Sequence, residues 1–473
     1  MSNPRVIPSI EQLRQRPAAR AAEREHGATA VVDALREAAA ELRTRFADGH
    51  GELPATPDQA AAAIEATLVD RLSRAGSPSL RRVLNATGVI LHTNLGRAPL
   101  APVVLERAVR LAAGYVNLEY DLDAGRRGAR DVHAERLLCR VTGAEAAVVV
   151  NNCAAATMLT LAAVARGREV VISRGELVEI GGGFRVPDIL LQSGALLREV
   201  GTTNRTRLAD YALAIGERTG ALLRVHHSNF RLEGFTERAS LAELVALGRR
   251  FSVPVIEDLG SGLSLPQAPA GPLQGEPTVQ ASVSAGVDVV CFSGDKLTGG
   301  PQAGLIVGRR EPLSRVRRHP LMRALRVDKL TYAVLEATLL EYLAGRAADT
   351  VPVLRMATMP VEAIAVRAQI VAAGLAAAGF QTAVVDGTST IGGGSVPGSE
   401  LPTRLVALES PTLSANALDS RLRAADPPVV ARIVDDRVVL DLRTVAPADD
   451  TLLIEAIVAT TGASRTTTPT ASR

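Results

Sequence analysis

The chain has 473 residues, of which 47% are hydrophobic and 22% are charged, and its formal net charge at pH 7 is +3. This length allows two or three domains around a large core, in a protein of ordinary globular composition. No apolar run is long enough to span a membrane, the N-terminus lacks the apolar core of a signal peptide, and the cysteines have no metal-ligand spacing. We therefore expect a cytoplasmic protein with no membrane partner, no metal and no disulfide framework. Since the net charge is small, any basic surface for a nucleic acid must be local.

Residues 1–80 are predicted to form a small helical domain. This segment is rich in Ala, Arg and Glu, and apolar residues recur at helical spacing in residues 31–37 and 64–69. Its beginning carries four arginines: Arg14, Arg16, Arg20 and Arg24. Because carboxylates are also frequent there, the charge alone favours a solvated helical face over a nucleic-acid surface.

Residues 81–345 are predicted to form an α/β domain in which short apolar strands alternate with helices. This alternation indicates a largely parallel sheet with helices on both faces and with functional sites at the carboxyl ends of its strands. Residues 346–463 predict a smaller α/β domain, and residues 464–473, rich in Thr, Ser and Arg, predict a disordered tail.

A candidate phosphate site follows the first buried strand of this domain. Residues 146–150 read Ala-Ala-Val-Val-Val, and a turn then leads into an apolar helix. Small residues at a helix start leave backbone N–H groups free to converge on an anion, assisted by the helix dipole. We expect Asn152, Cys153 and Ala154 to form this phosphate cup.

Two charged residues follow later strands. Asp258 follows the strand 253–256, and Lys296 follows the strand 287–292 in a turn rich in Gly. A lysine held at the mouth of a core loses hydration, which lowers its pKa and makes its amine a nucleophile. Such an amine forms the Schiff base of pyridoxal phosphate (PLP), and an upstream aspartate pairs with the ring nitrogen. Ser293 is placed to offer its hydroxyl to the phosphate of this cofactor.

Each of these two residues also has a simpler interpretation. A lone aspartate at a strand end is more often a turn residue, and a lone lysine in a turn is usually exposed. What favours the PLP interpretation is the order of three features along the chain: the phosphate cup comes first, then Asp258, then Lys296.

Several longer motifs carry a family resemblance. They read RVLNATGVILHTNLGR at 82–97, NLEYDL at 117–122, RGELVEIGG at 174–182 and GDKLTGGPQAG at 294–304. In these motifs the chain resembles the bacterial selenocysteine synthases, or L-seryl-tRNA(Sec) selenium transferases, from about residue 5 to about residue 450. The resemblance implies the PLP-dependent transferase fold type I, which is the aspartate-aminotransferase fold, with helical N-terminal and smaller C-terminal domains.

The resemblance also implies an activity and partners. Such an enzyme converts serine esterified to tRNA(Sec) into selenocysteine, using selenophosphate and a PLP-bound dehydroalanyl intermediate. It is a homo-oligomer built of dimers, for which the family suggests a decamer, and its residues 1–80 recognise the tRNA. The resemblance places Ser228 or Asn229 near the phenolic oxygen of the cofactor.

A group of arginines is implied to bind the selenium donor. Arg323 and Arg326 are three residues apart, so a helix places both on one face, where paired guanidinium groups can hold an oxyanion. Matching the family's motif, they are implied to hold selenophosphate together with Arg97, whereas a solvated basic helix is the alternative. The role of Arg443, where aminotransferases bind a free carboxylate, stays open.

Two other functions are compatible with the sequence. One is a PLP-dependent lyase acting on a small amino acid or an aminated sugar acid. The other is an RNA-binding scaffold without catalysis, which needs no lysine-bound cofactor.

Overall fold

The computed structural model describes residues 4–48, 53–76, 78–181, 183–269, 271 and 273–460. The chain forms two compact units, Met1–Arg82 and Val83–Arg473. The segment 464–473, predicted to be a disordered tail, lies outside the described residues.

The first unit is helical. Its helices are α1 (Ile10–Arg14), α2 (Pro17–His26), α3 (Ala28–Asp48) and α4 (Pro57–Gly76). Ser9 caps α1 by accepting a hydrogen bond from the Gln12 N–H, and Pro17 occupies the first position of α2, where its missing N–H costs nothing. The predicted helical segments 31–37 and 64–69 fall within α3 and α4. Their apolar faces close a core made of residues of this unit alone.

Two of the four N-terminal arginines form ion pairs within this unit. Arg14 forms an ion pair with Glu23 at 2.8 Å, and Arg16 forms one with Glu65 at 2.9 Å. These arginines therefore help to join helices of the unit.

The second unit contains the remaining helices. In chain order they are α5 (Pro102–Ala112), α6 (Val132–Thr142), α7 (Cys153–Ala165), α8 (Val186–Gln192), α9 (Leu208–Ala214), α10 (Leu241–Phe251), α11 (Val279–Ala285), α12 (Arg310–Arg318), α13 (Leu321–Leu325), α14 (Lys329–Leu343), α15 (Ala347–Thr350), α16 (Pro352–Thr358), α17 (Val361–Ala377), α18 (Ala415–Ala424) and α19 (Asp450–Ala459). Within the described ranges no single helix is long and apolar enough to cross a membrane, although α16 and α17, bent by 97°, pass that test together.

The strands also belong to this unit. In chain order they are β1 (Leu84–Asn85), β2 (Val89–Leu91), β3 (Tyr120–Asp121), β4 (Arg126–Arg127), β5 (Ala146–Val150), β6 (Glu169–Ser173), β7 (Glu179–Gly181), β8 (Phe184–Arg185), β9 (Leu196–Val200), β10 (Arg205–Thr206), β11 (Thr219–Val225), β12 (Glu237–Arg238), β13 (Val255–Gly260), β14 (Val289–Ser293), β15 (Gly304–Gly308), β16 (Gln381–Gly392), β17 (Leu401–Glu409), β18 (Val429–Val430), β19 (Arg432–Val434) and β20 (Arg437–Asp441). Most of them assemble into two larger sheets.

The larger sheet has seven strands in the order β5-β15-β14-β13-β11-β6-β9. All neighbours are parallel except β15, which runs antiparallel to both β14 and β5. Its central strands are nearly continuous apolar runs because helices cover both faces, and a separate hydrophobic core lies on each face. The predicted parallel sheet with helices on both sides is thus what the chain forms.

The smaller sheet has five strands in the order β19-β20-β17-β16-β2. Its last strand, β2, comes from the beginning of the second unit and pairs in parallel with β16. The segment after residue 83 therefore contributes to the smaller sheet before the chain enters the larger one. A single boundary at residue 346 therefore does not separate the two sheets, because β2 lies before it and belongs to the smaller sheet. The sequence does not show this pairing, since a three-residue strand is too short to have a periodicity that identifies its partner.

Candidate active site

Three of the predicted site residues surround one point at the carboxyl ends of β13 and β14. Asp258 lies near the end of β13, and Lys296 follows β14 by three residues. A Cβ atom added to Gly260 would lie 3.7 Å from Asp258 Oδ1, 3.8 Å from Lys296 Nζ and 4.0 Å from Ser228 Oγ. The amine and the carboxylate are thus within about 8 Å of each other in a parallel-sheet edge of the kind that binds ligands.

Lys296 is buried, with 7% of its surface exposed. Its Nζ donates a hydrogen bond to the Gly394 carbonyl at 3.2 Å, and burial lowers its pKa. A lowered pKa leaves more of the amine neutral and nucleophilic. The sequence contains one other lysine, Lys329, whose Nζ donates to the carbonyls of Ala112 and Gly114, both at 3.0 Å.

Asp258 is held by side chains of α7. Its Oδ2 accepts a hydrogen bond from the Thr157 hydroxyl at 2.9 Å, and its Oδ1 lies 3.6 Å from the Cys153 thiol. Burial raises the pKa of Asp258, whereas the Thr157 hydroxyl favours the ionised form and opposes that rise. Burial also raises the pKa of Cys153, so its thiol stays protonated and can donate. Sequence reasoning missed Thr157, although its spacing of four from Cys153 places both on one face of a helix.

The predicted phosphate cup is the N-terminus of α7. Asn152 is its N-cap and accepts a hydrogen bond from the Ala155 N–H at 2.9 Å. The N–H groups of Cys153 and Ala154 fall in the first turn, where a helix offers no internal acceptor. They therefore have no acceptor within the helix, and their binding of a phosphate stays a prediction. The Cys153 side chain points elsewhere, to Asp258.

Ser293 lies at the same level of the sheet as the cup. It pairs with Gly304 of β15, and Gly304 pairs in turn with Val150, the last residue of β5. A Cβ on Gly304 would overlap the Asn152 carbonyl, so the backbones come together here only because this residue is glycine.

The two candidates that follow β11 have different surroundings. Ser228 is buried and lies by Gly260, close to Lys296 and Asp258. Asn229 instead donates from its Nδ2 to the Glu179 carbonyl at 2.7 Å, which ties it to the strand β7. Of the two, Ser228 is the one that the fold brings to the lysine.

Sequence reasoning also missed the loop between β16 and β17. Its Gly394 accepts the hydrogen bond from Lys296, and a Cβ at that position would overlap the lysine amine. The run of three glycines at 392–394 was the available signal, since such runs often mark a close approach of backbone to a functional group.

The three arginines assigned to the selenium donor occupy two places. Arg97 forms an ion pair with Asp295 at 2.9 Å, next to Lys296. Arg323 lies in α13 and Arg326 just after it, and both border a cleft that they share with Glu119 and with further polar residues: Arg130, Asp131, Arg317 and His319. Arg97 is not among the described residues that line this cleft. The residue before Arg326 is joined to the residue before the cup, since the Asn151 N–H donates to the Leu325 carbonyl at 3.0 Å.

Arg443 has a structural environment. It is buried, and its guanidinium donates to Ser389 Oγ and to the carbonyls of Met356 and Met359, each at 2.9 Å, and to the Pro402 carbonyl at 2.5 Å. With its donors taken by four groups of the protein, it has little capacity left for a substrate carboxylate.

The donor set fits PLP. A buried lysine with a lowered pKa, a buried carboxyl group beside it and free N–H groups at a helix start match an aldehyde, a ring nitrogen and a phosphate, respectively.

Comparisons with known proteins give the family. The family model described as L-seryl-tRNA selenium transferase matches residues 83–446. An L-seryl-tRNA(Sec) selenium transferase of Nitratidesulfovibrio vulgaris is 51% identical over 429 residues, covering 89% of this chain and 91% of the relative. One of Geobacter sulfurreducens is 47% identical over 455 residues, covering 95% and 98%.

A solved structure shows the fold. The structure of D-glucosaminate-6-phosphate ammonia-lyase, 23% identical, matches with a TM-score of 0.56 over 81% of this chain and 96% of that chain. The predicted fold class is confirmed. On the extent and identity of the sequence matches, this chain belongs to the L-seryl-tRNA(Sec) selenium transferase family.

Proposed function

We propose that this protein converts the serine of L-seryl-tRNA(Sec) into selenocysteine with selenophosphate as the selenium donor, using PLP attached to Lys296. The relatives of about 50% identity that carry this name support the reaction. The observation that carries the cofactor assignment is the buried amine of Lys296 beside the buried carboxyl group of Asp258.

The residues proposed to hold PLP are those that its chemistry requires. The N–H groups of Cys153 and Ala154, in the first turn of the helix that Asn152 caps through the Ala155 N–H, bind the phosphate together with Ser293. Asp258 faces the ring nitrogen, and Ser228 serves the phenolic oxygen. When bound, PLP withdraws electrons from the Cα of an attached amino acid.

Side chains and one backbone carbonyl of the protein then stabilise charge and transfer protons. Asp258, whose ionised form the Thr157 hydroxyl favours, is placed to stabilise a protonated ring nitrogen. Lys296 Nζ takes the proton from the seryl Cα, because its lowered pKa makes the neutral amine available as a base. The Gly394 carbonyl orients that amine.

The cleft bordered by Arg323 and Arg326 is proposed to bind selenophosphate. Guanidinium groups bind phosphate-like oxyanions through two parallel hydrogen bonds. The Asn151–Leu325 hydrogen bond joins the chain next to Arg326 to the chain next to the phosphate cup. Arg97, beside Lys296, is proposed to meet the donor at the reacting end.

The first unit is proposed to recognise tRNA(Sec). The protein is also proposed to be cytoplasmic and to form a homo-oligomer built of dimers, and light scattering can test the oligomeric state. Removing residues 1–82 should weaken tRNA(Sec) binding and reduce its salt dependence while PLP stays bound. A truncated protein that binds tRNA(Sec) like the full chain contradicts this assignment, and unchanged turnover of small amino acids favours a lyase.

The cofactor assignment has a matched control in the only other lysine. Lys296→Ala should abolish both covalent PLP attachment and turnover of seryl-tRNA(Sec), whereas Lys329→Ala should keep both. Attachment is measured by mass spectrometry after borohydride reduction of the protein. PLP found on the Lys329 peptide, or retained by the Lys296 variant, overturns the assignment.

A further inference from the structure

A buried carboxylic acid lies beside the candidate active site and has no role in the function proposed so far. Glu276, in the segment between β13 and α11, is 6% exposed. It borders a cleft together with His226, His227 and Val396. Val396 is two residues after Gly394, the acceptor of the Lys296 hydrogen bond, and the charge of Lys296 acts on the Glu276 carboxyl group.

The strand that carries Asp258 also reaches this cleft. The His226 N–H donates to the Asp258 carbonyl at 2.9 Å, and His226 Nε2 lies 3.9 Å from Glu276 Oε2. Glu276 thus lies near His226, whose N–H donates to the Asp258 carbonyl, and borders a cleft with Val396, which belongs to the loop that contacts Lys296.

The surroundings of Glu276 favour its protonated form. Burial raises its pKa, whereas the Ser261 hydroxyl, the Val396 N–H and the charge of Lys296 oppose that rise. Burial lowers the pKa of His226 to about 4, so this neighbour is neutral and contributes no cation to hold a carboxylate. Among the residues that the structure describes, Glu276 Oε1 has no hydrogen-bond partner.

The proposed reaction needs a proton donor for the departing β-hydroxyl group. Replacing the β-hydroxyl of serine by selenium requires the Cβ–O bond to break, and hydroxide is a poor leaving group. The neutral form of a carboxylic acid can protonate the departing oxygen, and such general acid catalysis contributes about 10²–10⁴-fold in rate.

We propose that Glu276 is the general acid that protonates the leaving β-hydroxyl of the seryl substrate. This inference rests on the proposed function. Lys296 Nζ removes the Cα proton, the C–H electron pair forms a Cα–Cβ double bond, and the Cβ–O pair leaves with the oxygen. The Glu276 carboxyl proton goes to that oxygen, which departs as water, and Glu276 remains as a carboxylate that solvent reprotonates.

A purely structural role for Glu276 makes a different prediction. If the side chain only positions His226 or the loop at Val396, its replacement should slow every substrate to the same extent. If it donates a proton, only a substrate whose leaving group needs a proton should be slowed. Glu276→Gln tests this, because glutamine keeps the volume and polarity but has no acidic proton.

The experiment compares two aminoacyl-tRNAs in single turnover on PLP-loaded protein. Glu276→Gln should slow consumption of seryl-tRNA(Sec) by about 10²–10⁴-fold. It should consume β-chloroalanyl-tRNA(Sec) at nearly the wild-type rate, since chloride leaves without a proton. Glu276→Asp, which keeps an acid, should recover part of the seryl rate. The matched control is Glu257→Gln, which removes another buried carboxyl group whose pKa is raised by burial and should leave the ratio of the two rates unchanged.

A second measurement does not depend on turnover. The infrared difference between wild type and Glu276→Gln at neutral pH should contain the carbonyl band of a protonated carboxylic acid. Absence of this band, equal slowing of both substrates, or no slowing of either overturns the proposal while the proposed function stands. A wild type that consumes neither aminoacyl-tRNA overturns the proposed function and this inference with it.

Discussion

The hydrogen bond from Thr157 to Asp258 offers a direct test of how the protein favours the ionised form of a buried carboxyl group. Thr157→Val replaces the hydroxyl by a methyl group of nearly the same size. The change removes the 2.9 Å hydrogen bond to Asp258 Oδ2 and leaves the Cys153 thiol as the remaining side-chain donor at 3.6 Å. Because the lost bond favoured the ionised form, the pKa of Asp258 should rise further.

The size of the effect follows from the bond that is lost. Hydrogen bonds to charged groups contribute about 1.5–3 kcal/mol. If this stabilisation of the Asp258 carboxylate supports a protonated ring nitrogen during Cα-proton removal, its loss slows that step by about 10- to 150-fold. Folding stability should change less, since valine fills the volume that the threonine occupied.

The assay is the exchange of the seryl Cα hydrogen for solvent deuterium, followed by mass spectrometry without selenophosphate. Thr160→Val is the control, because Thr160 is also buried on α7 but its hydroxyl contacts Cys291 Sγ at 3.5 Å instead of Asp258. If Thr157→Val exchanged the seryl Cα hydrogen at the wild-type rate, the proposed role of this hydrogen bond would be refuted. Equal slowing by both variants would show that packing of α7, rather than the charge of Asp258, sets the rate.

Other substitutions test other parts of the site. Gly394→Ala places a methyl group against Lys296, so PLP titration should show weakened attachment of the cofactor. Because this residue has a φ of +80°, thermal unfolding should also show a free energy of unfolding lower by about 1–2 kcal/mol. Arg443→Met should lower the free energy of unfolding in urea by about 3–5 kcal/mol, because it removes hydrogen bonds to four acceptors in buried or partly buried contacts. A small change would show that these hydrogen bonds contribute little to the fold and would leave the role of Arg443 open. Replacing Arg323 and Arg326 by Ala should raise the KM for selenophosphate by about 10- to 100-fold and spare seryl-tRNA binding, and an unchanged KM would remove them from the donor site.

The residues at strand ends could be predicted from the sequence. Lys296, Asp258 and the start of α7 each follow an apolar run, and the carboxyl ends of parallel strands meet at one edge of a sheet. The fold class could be predicted for the same reason, because alternating strands and helices allow few arrangements. Local pattern was sufficient for both.

The residues that depend on distant packing could not be predicted. Gly394 meets Lys296 across 98 positions of sequence, and Glu276 reaches the site from a connection with no regular period. Arg443 is buried among backbone carbonyls, and nothing in its neighbours in sequence distinguishes it from a substrate-binding arginine. The exchange of β2 into the smaller sheet is likewise a property of tertiary pairing.

The small number of lysines affects which aldehydes the protein can capture. Of its 53 basic residues, 51 are arginines, whose guanidinium groups stay protonated and do not form imines with aldehydes under ordinary conditions. The amine of Lys329 is occupied by two carbonyl groups. A cationic surface made of arginine can therefore attract anionic compounds without forming imines. Among the side chains, only the two lysines offer an amine with which an aldehyde can form an imine.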